Sequence, residues 1–478
     1  MRLRPAQLVC KSACCRSALA LCLATISAFG ADFPGLHFDY GGDFRVRNDF
    51  LDGAITLSTD APHHQQNYLR LRERVWASVA DTSGWRFKAG LSGEQRDWYK
   101  PAFASQFPAD TGFEARYGIV DQLFVEWQAP GGRGPTVTIG RQDILFGERM
   151  NGWLVSDGTP YDASWTAFFD AARVRFTPAG TQTQLDLVCL VNFAKPDAWL
   201  PTIGDSSRHS PGPYYLTEQD ERGVILYASN HALAHTDVDA YYMAKLDDRV
   251  ASNGDDAELH TLGGRVRGEP GSHWLYSLEG AYQFGSKRDA GLGRAYGGGT
   301  WLDISAWGLN GRAAYRFRDR YDDQLTLVFE YLSGDDPQTT GRDEMFDILW
   351  SRWPRWSELF VHDNILEVGG RPSQMANLER AGLAWSVTPL PAATLTLGYN
   401  ALWAPEALPT RALDAARANS PLFSREGNFR GHDVQAQMLY QIDKHLSVHL
   451  WADGLWQGGF YRGGELITFF RAELLATF

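Results

Sequence analysis

Apolar and polar residues alternate along one segment after another of this chain, and this alternation constrains its fold most. In the last segment, 465–478, Phe470 and Phe478 share one parity, whereas Arg471 and Glu473 share the other. A period of two is the pattern of a β-strand with one apolar face and one more polar face. A strand at the end of a chain leaves backbone groups unpaired unless a neighbour covers each edge. Closure of the sheet into a barrel would supply both neighbours.

Eighteen segments from residue 36 onward have strand character, and their lengths are close to the ~9–11 residues with which a strand crosses a membrane. The predicted strands are 36–47, 67–79, 85–96, 118–128, 135–144, 165–177, 182–194, 222–229, 236–246, 258–268, 273–285, 303–318, 324–332, 376–387, 392–403, 431–442, 445–456 and 465–478. The sequence therefore predicts an all-β fold, a transmembrane outer-membrane β-barrel of about 18 antiparallel strands.

The connections between these segments alternate in length. The short ones include 81–84, 130–135, 178–180, 269–272, 389–391 and 443–444, and the long ones are 48–66, 97–117, 145–164, 195–221, 333–375 and 404–430. Short periplasmic turns and long extracellular loops are typical of outer-membrane barrels. An even number of strands then places both chain ends on the periplasmic side. A soluble sandwich or propeller gives no reason for this pattern.

The first 30 residues have the features of a secretory signal peptide. Four basic residues precede an apolar run from Ala18 to Phe29, and Ala28 and Gly30 are small residues suited to cleavage after Gly30. We therefore expect a signal peptide at 1–30 and a single barrel domain at 31–478.

The net charge bears on nucleic-acid binding, and the cysteine content bears on disulfide formation. The formal net charge of the chain is -12, which argues against a general nucleic-acid binder. Four of the five cysteines lie in the predicted signal peptide, so Cys189 has no partner for an intramolecular disulfide after cleavage.

Arginines lie on the polar face of several predicted strands. Arg70, Arg72 and Arg74 share one parity in their strand, opposite to Leu69 and Leu71. An arginine on the lipid face near the bilayer midplane costs about 2–4 kcal/mol, so we expect these three side chains in the lumen. By the same argument we expect further basic residues to face the lumen, namely Arg45, Arg47, Arg173, Arg175, Arg265, Arg312 and Arg316. We also expect acidic residues to face the lumen, among them Glu126, Asp186, Glu279 and Glu330.

Two interpretations of these lumenal charges stay open. In one, the arginines form a basic track that concentrates anions, because guanidinium groups bind carboxylates in a bidentate manner. In the other, arginine and glutamate side chains pair across neighbouring strands and stabilise the wall of the barrel.

Catalytic and metal sites have little support in the sequence. Ser447 and His449 share the inward face of one predicted strand, but the third group and the oxyanion hole of a hydrolase are not specified. His63 and His64 lie near Asp60 without a diagnostic metal-binding spacing. We therefore expect no enzymatic activity and no cofactor, and a barrel hydrolase that uses Ser447 and His449 is the alternative from another class.

Five longer stretches carry a resemblance to a known family. They are IGRQDILFGERMNGW, FFDAARVRF, MFDILWSRWPRW, NLERAGLAWSVTPLPAATLTLGYNALWA and GHDVQAQMLYQIDKHLSVHLWADGLWQGGFY. Together they resemble the alginate export porins of Gram-negative outer membranes, and the GRQ strand followed by FG and a Trp-containing loop is the most specific part. The resemblance extends over most of the chain after the signal peptide.

The resemblance implies a monomeric eighteen-stranded barrel with an arginine-rich constriction that passes an anionic polyuronate. Carried onto this sequence, the implied basic lumen consists of Arg47, Arg72, Arg74, Arg141, Arg173 and Arg312. Arg141 shares the parity of Val137 and Ile139, so it would face lipid unless a bulge intervenes or it lies above the membrane. A barrel of the same fold that takes up small acidic solutes is the alternative function.

The resemblance also implies partners. They are an anionic polysaccharide or another acidic solute, outer-membrane lipid and a periplasmic secretion scaffold, with no nucleic acid. Phe478, an apolar-face phenylalanine at the C-terminus, resembles the signature that the barrel assembly machinery recognises.

Overall fold

The computed structural model describes most of the chain after the predicted signal peptide. The described residues are 34–54, 56–61, 63–100, 112–132, 134–147, 153–155, 168–195, 200, 217, 219–250, 254–289, 300–336, 338–351, 356–367, 376–407, 423–424 and 427–478. The predicted signal peptide at 1–30 lies outside the described residues.

The described residues form nineteen strands, one α-helix and one short 3-10 turn at Pro130–Gly132. The strands are β1 (Leu36–Asp52), β2 (Gln65–Asp81), β3 (Trp85–Lys100), β4 (Gly112–Gln128), β5 (Thr136–Gln142), β6 (Phe169–Phe176), β7 (Thr183–Asn192), β8 (Gln219–Leu233), β9 (Thr236–Arg249), β10 (Asp255–Gly268), β11 (Trp274–Asp289), β12 (Leu302–Arg316), β13 (Gln324–Leu332), β14 (Arg342–Asp343), β15 (Leu378–Leu390), β16 (Ala393–Trp403), β17 (Phe429–Gln441), β18 (Leu446–Gln457) and β19 (Leu466–Thr477). The helix, α1, spans Glu358–Glu367. None of the described helices is long and apolar enough to cross a membrane.

The long strands close into a barrel. Each pairs antiparallel with the next along the chain, β13 pairs with β15, and β19 pairs with β1. Over the described residues this gives eighteen barrel strands, while β14 is a two-residue strand that pairs in parallel with β12. Closure leaves no free edge, so the strands satisfy their backbone groups internally. All eighteen predicted segments overlap a barrel strand, and the predicted fold is confirmed.

Some strands extend further than the sequence pattern indicates. β1 ends at Asp52 rather than at 47, and β4 begins at Gly112 rather than at 118. The prediction followed apolar alternation, which stops where a strand leaves the apolar band. Backbone pairing with the neighbouring strand continues beyond that point.

The two faces of the barrel differ in chemistry. In β19, Phe470 is 44% exposed, whereas the next residue, Arg471, is 1% exposed. Large apolar side chains cover the outer face in this way, and charged side chains are buried inside together with apolar residues of the segment between β13 and β15, such as Phe346 and Leu359. The core of the molecule therefore lies in the barrel lumen.

Phe478 continues the barrel seam beyond the end of β19. Its N–H donates to the Gly42 carbonyl and its carbonyl accepts from the Gly42 N–H, both at 3.0 Å. A Cβ on Gly42 would come within 2.6 Å of the Phe478 ring, so the glycine makes room for this ring on the outer face.

Candidate functional site

The segment between β13 and β15 places helix α1 inside the barrel. Glu358, at the start of α1, lies 2.9 Å from Arg471 on the inner face of β19. Ser357, just before the helix, donates a hydrogen bond of 2.8 Å to Asp453 on β18. These contacts fix the first turn of α1 against the inner wall of β18 and β19.

The last turn of α1 is held by a fully buried ion pair. Glu367 contacts Arg430 of β17, and both side chains are inaccessible to solvent. The Tyr461 hydroxyl also donates to Glu367, at 3.1 Å. The Arg430 guanidinium lies 4.4 Å from the centre of the Phe460 ring. Loss of either charge would leave the other one buried without compensation.

Asp363, in the middle of α1, is a buried carboxyl. Neither of its oxygens has a hydrogen-bond partner among the described residues. Burial raises the pKa of Asp363 well above its usual range, and the nearby Glu367 raises it further, against the opposing effect of Arg430. Asp363 therefore favours its protonated form.

A dense group of arginines, which we call the arginine wall, covers the inner face of β1, β2, β3 and β19. Its members are Arg45, Arg47, Arg70, Arg72, Arg74, Arg96 and Arg471. Strand register places Arg45 opposite Arg72 and Arg47 opposite Arg70. Like charges directly opposite each other are unfavourable, so this arrangement requires carboxylates close by.

Carboxylates on the same strands and their neighbours pair with the arginine wall. The closest nitrogen–oxygen distances are 2.5 Å for Arg47–Glu473, 2.6 Å for Arg70–Glu94, 2.6 Å for Arg72–Asp43, 2.6 Å for Arg74–Asp121, 2.9 Å for Arg96–Glu94, 2.7 Å for Arg471–Asp49 and 3.8 Å for Arg45–Glu473. Arg74 also contacts Asp143 at 2.9 Å. The guanidinium groups are thus buried in ion pairs, as the wall-stabilising interpretation expects.

Arg141 points into the barrel, contrary to the parity that it shares with Ile139. Ile139 is 54% exposed, whereas Arg141 is 2% exposed. Gly140 between them has φ +126°, and a Cβ there would lie 2.2 Å from a backbone oxygen of β4. Because of this irregularity, inward and outward positions exchange after Gly140. Parity alone therefore predicts the wrong face of the barrel for Arg141. Inside, Arg141 binds Asp170 in a bidentate manner at 2.8 and 2.9 Å.

The other predicted charged residues have local partners. The pairs are Arg173–Asp186 at 2.7 Å, Arg175–Asp186 at 3.5 Å, Glu126–Thr138 at 3.1 Å, Arg265–Asp239 at 2.5 Å, Glu279–Tyr241 at 3.0 Å and Arg316–Glu269 at 3.5 Å. They lie around β4 to β7 and around β9 to β12, apart from the arginine wall.

A cavity of about 540 Å³, which we call the lumenal cavity, lies against the inner face of β12 to β17. Arg312 of β12, Glu330 of β13 and Arg380 of β15 line it. Arg380 donates hydrogen bonds of 3.3 Å to Glu330 and to Asn400. Trp356, just before α1, closes one side, and its ring centre lies 4.4 Å from the Arg380 guanidinium.

Most other polar residues of the lumenal cavity are uncharged. They include Asn310, Gln324, Thr326, Ser386, Thr396, Asn400, Gln435 and Gln437. Amides and hydroxyls offer both donors and acceptors, and arginine binds carboxylates. This combination is suited to binding a polar, acidic solute.

Sequence reasoning missed several residues of the lumen. Arg380 lies in a predicted strand, and its parity with Leu378 and Gly382 is the signal that could have placed it inward. Trp356 and Glu367 gave no such signal, because their positions depend on how the segment between β13 and β15 enters the barrel. Arg430 lies at the start of β17, one residue before the predicted strand and beside Gly431 with φ +141°, so alternation did not reach it.

Ser447 and His449, the residues of the alternative hydrolase hypothesis, lie on β18. They lie two residues apart on β18, where a strand separates their backbones by about 6.6 Å. His64 contacts Asp52 at 2.6 Å. Within the described part of the chain, no group of three or more His, Cys, Asp or Glu side chains is arranged to hold a metal ion.

Comparisons with known proteins agree with this architecture. A sequence model described as "Alginate export" matches residues 213–468, which is more than half of the chain. No curated protein matches the sequence.

Two solved structures with a similar fold come from Pseudomonas species. A BenF-like porin from Pseudomonas fluorescens Pf-5 has a TM-score of 0.53 at 9% identity, with 92% of this chain and 98% of that chain covered. The outer membrane protein OprD from Pseudomonas aeruginosa has a TM-score of 0.51 at 11% identity, with 94% and 96% covered. At such low identity, the likeness shows the fold alone.

Proposed function

Because this chain belongs to the alginate export family, we propose that it is an outer-membrane channel for an acidic oligosaccharide or polysaccharide such as a polyuronate. The family match over residues 213–468 is the observation that carries the proposal. The closed barrel with an apolar outer face supports a place in the outer membrane. Passage through such a channel is passive and involves no covalent chemistry.

The proposed roles of the lumenal residues follow from their surroundings. Arg312 and Arg380 attract the carboxylates of the solute, and the neutral amides of the lumenal cavity bind its hydroxyl groups. The arginine wall is matched by carboxylates, so its main role is to stabilise the barrel and fix its shape. Recognition of Phe478 by the barrel assembly machinery and attachment of a periplasmic secretion scaffold stay predictions.

Uptake of small acidic solutes is the second candidate. The volume of the lumenal cavity, about 540 Å³, falls in the range of roughly 300–1,000 Å³ that is typical of small-molecule sites. A site of this size suits a solute of one or two sugar units as well as part of a polymer.

Single-channel recording on the refolded mature protein tests the proposal. Oligomannuronate added to one side should interrupt the current, because the acidic sugar enters the lumen. A neutral mannose oligomer of equal length is the control and should give shorter or fewer interruptions. Passage of a small dicarboxylate without any interruption by oligomannuronate would favour the second candidate. Indifference to every acidic solute would contradict both.

A further inference from the structure

We propose that the protonation state of Asp363 controls the position of α1 and thereby the width of the channel. In the neutral form of this carboxyl, the helix rests on the inner wall of the barrel. In the ionised form, repulsion from Asp433 of β17 and Asp453 of β18 moves the helix away from the wall. This inference goes beyond the proposed function, because it requires only that the barrel is a channel and holds for any solute.

The first observation is that Asp363 is buried without a partner. Its side chain is inaccessible to solvent, and neither carboxyl oxygen has a hydrogen-bond partner among the residues that the structure describes. An ionised carboxylate in such a place has neither water nor a donor to stabilise its charge. The packed position of α1 therefore suits the neutral acid and is unfavourable for the carboxylate.

The second observation is the charge around Asp363. The ionisable side chains that face it come from α1, β17, β18 and the segment after β18. They are Glu367, Arg430, Asp433, Asp453 and Tyr461. Arg430 carries the positive charge in this set, and it is already in contact with Glu367. The other strand packed against α1 is β19, whose Arg471 pairs with Glu358 in the first turn of the helix.

The third observation is that the two facing carboxyls have neutral partners. The amide groups of Asn400 and Gln435 donate to Asp433 at 2.8 and 2.9 Å. The Ser357 hydroxyl donates to one oxygen of Asp453 at 2.8 Å, and the other oxygen of Asp453 is buried without a hydrogen-bond partner. Neutral donors supply no positive charge, so a third carboxylate beside these two would be repelled.

The position of Asp363 within α1 directs that repulsion at the contact between helix and wall. Asp363 and Glu367 are four residues apart, so they lie on the same face of the helix. Like charges at this spacing destabilise a helix. Ser357 before the helix and Glu367 at its end are both bound to the wall, and Asp363 lies between these two contacts. Ionisation of Asp363 therefore weakens the helix and both contacts together.

The experiment is single-channel recording of the refolded mature chain in potassium chloride without a solute, at a series of pH values. The quantity measured is the ratio of time in a wider to time in a narrower conducting state, because titration of other lumenal groups changes the current amplitude directly. In wild type this ratio should rise with pH by up to about tenfold per pH unit, as expected when one proton is released. Asp363→Asn imitates the neutral carboxyl and should keep the narrower state at every pH.

Two further variants separate the titration from a general loss of structure. Asp248→Asn changes an exposed carboxyl paired with Arg222 and should follow wild type at every pH. Glu358→Gln weakens the contact of α1 with Arg471 but keeps Asp363 and the groups that face it. This variant should raise the ratio at every pH and keep the slope of wild type. An unchanged ratio in Glu358→Gln would contradict the movement of α1.

The outcomes separate this inference from the proposed function. A ratio that does not depend on pH in wild type would contradict the control by Asp363. An equal pH dependence in wild type and Asp363→Asn would contradict it too, since another group would then be responsible. Both results leave the proposed function standing, because no solute enters the recording. Absence of conduction by wild type at every pH would contradict the channel and the inference together.

Discussion

At the scale of single residues, buried charges inside the barrel depend on partners that come from distant parts of the chain. Arg430 and Glu367 join β17 to α1, and Arg471 and Glu358 join β19 to the same helix. A buried ion pair gives little net stability compared with apolar residues, but it penalises any change to only one partner. These pairs therefore specify where α1 sits.

The Arg430–Glu367 pair gives a direct test. Arg430→Met should lower the free energy of unfolding by about 3–5 kcal/mol, because Glu367 stays buried without its counter-charge. Arg222→Met, which breaks an exposed pair with Asp248, should change it little. Thermal unfolding in detergent, followed by the gel mobility of the folded barrel, measures both. Equal stability of the two variants would contradict the role assigned to the pair.

Asp363 predicts a pH dependence. In the folded protein, burial raises the pKa of Asp363 well above its ordinary value of 3.8. In the unfolded chain the pKa is near that ordinary value. The folded state then binds more protons above pH 3.8, so this group lowers the free energy of unfolding as the pH rises. Asp363→Asn should melt at a higher temperature than wild type at pH 7.

Comparison across pH completes that test. Below about pH 3.8 both forms are neutral, so the melting temperatures of Asp363→Asn and wild type should converge. Asp60→Asn, in an exposed loop, should show no such trend. A difference that is constant from pH 3 to pH 7 would show that burial of the charge is not the cause.

Parity identified the inward face of many residues from sequence, but not their partners. Arg70 and Arg72 were predicted inward and lie there, yet their pairing with Glu94 and Asp43 depends on strand register. Register and long-range contacts are not encoded in the periodicity of one segment. The role of these arginines, in transport or in stabilising the barrel, therefore depends on the contacts that they make in the complete arginine wall.

At the scale of elements, β5 shows how one glycine redirects a strand. Gly140→Ala should destabilise the barrel by at least about 1–3 kcal/mol, because alanine at φ +126° is strained and its Cβ would meet the β4 backbone. Gly280→Ala is the matched control, with its nearest neighbouring atom 3.6 Å from the added Cβ. The fraction of folded barrel after refolding measures the effect. Normal refolding of Gly140→Ala would contradict the assigned bulge-like geometry.

The strands and α1 differ in how far sequence predicts them. Each barrel strand carries its own alternation and turn signals, so all eighteen were found, with errors at their ends. Helix α1 is ten residues long and its place is set by Arg430, Asp453 and Arg471 on three different strands. The sequence predicts 333–375 only as a long connection, and the position of α1 inside the barrel follows from those contacts.

At the scale of the whole molecule, charge is distributed unevenly within the lumen. Carboxylates pair with the arginine wall, while the lining of the lumenal cavity combines Arg312, Arg380 and Glu330 with neutral amides and hydroxyls. The net charge of the whole chain is negative, so it does not reveal the local charges inside the lumen. A solute in the lumen responds to the local field of the cavity rather than to the total.

The reversal potential of the open channel in a salt gradient tests this account most directly. The account predicts that refolded wild-type protein prefers anions over cations, and that Arg312→Gln weakens the preference because it removes a positive charge from the lining of the lumenal cavity. Recordings at low ionic strength give the greatest sensitivity, since salt screens exposed charges. A cation-selective or unselective wild-type channel would contradict the proposal that an acidic solute passes through this lumen.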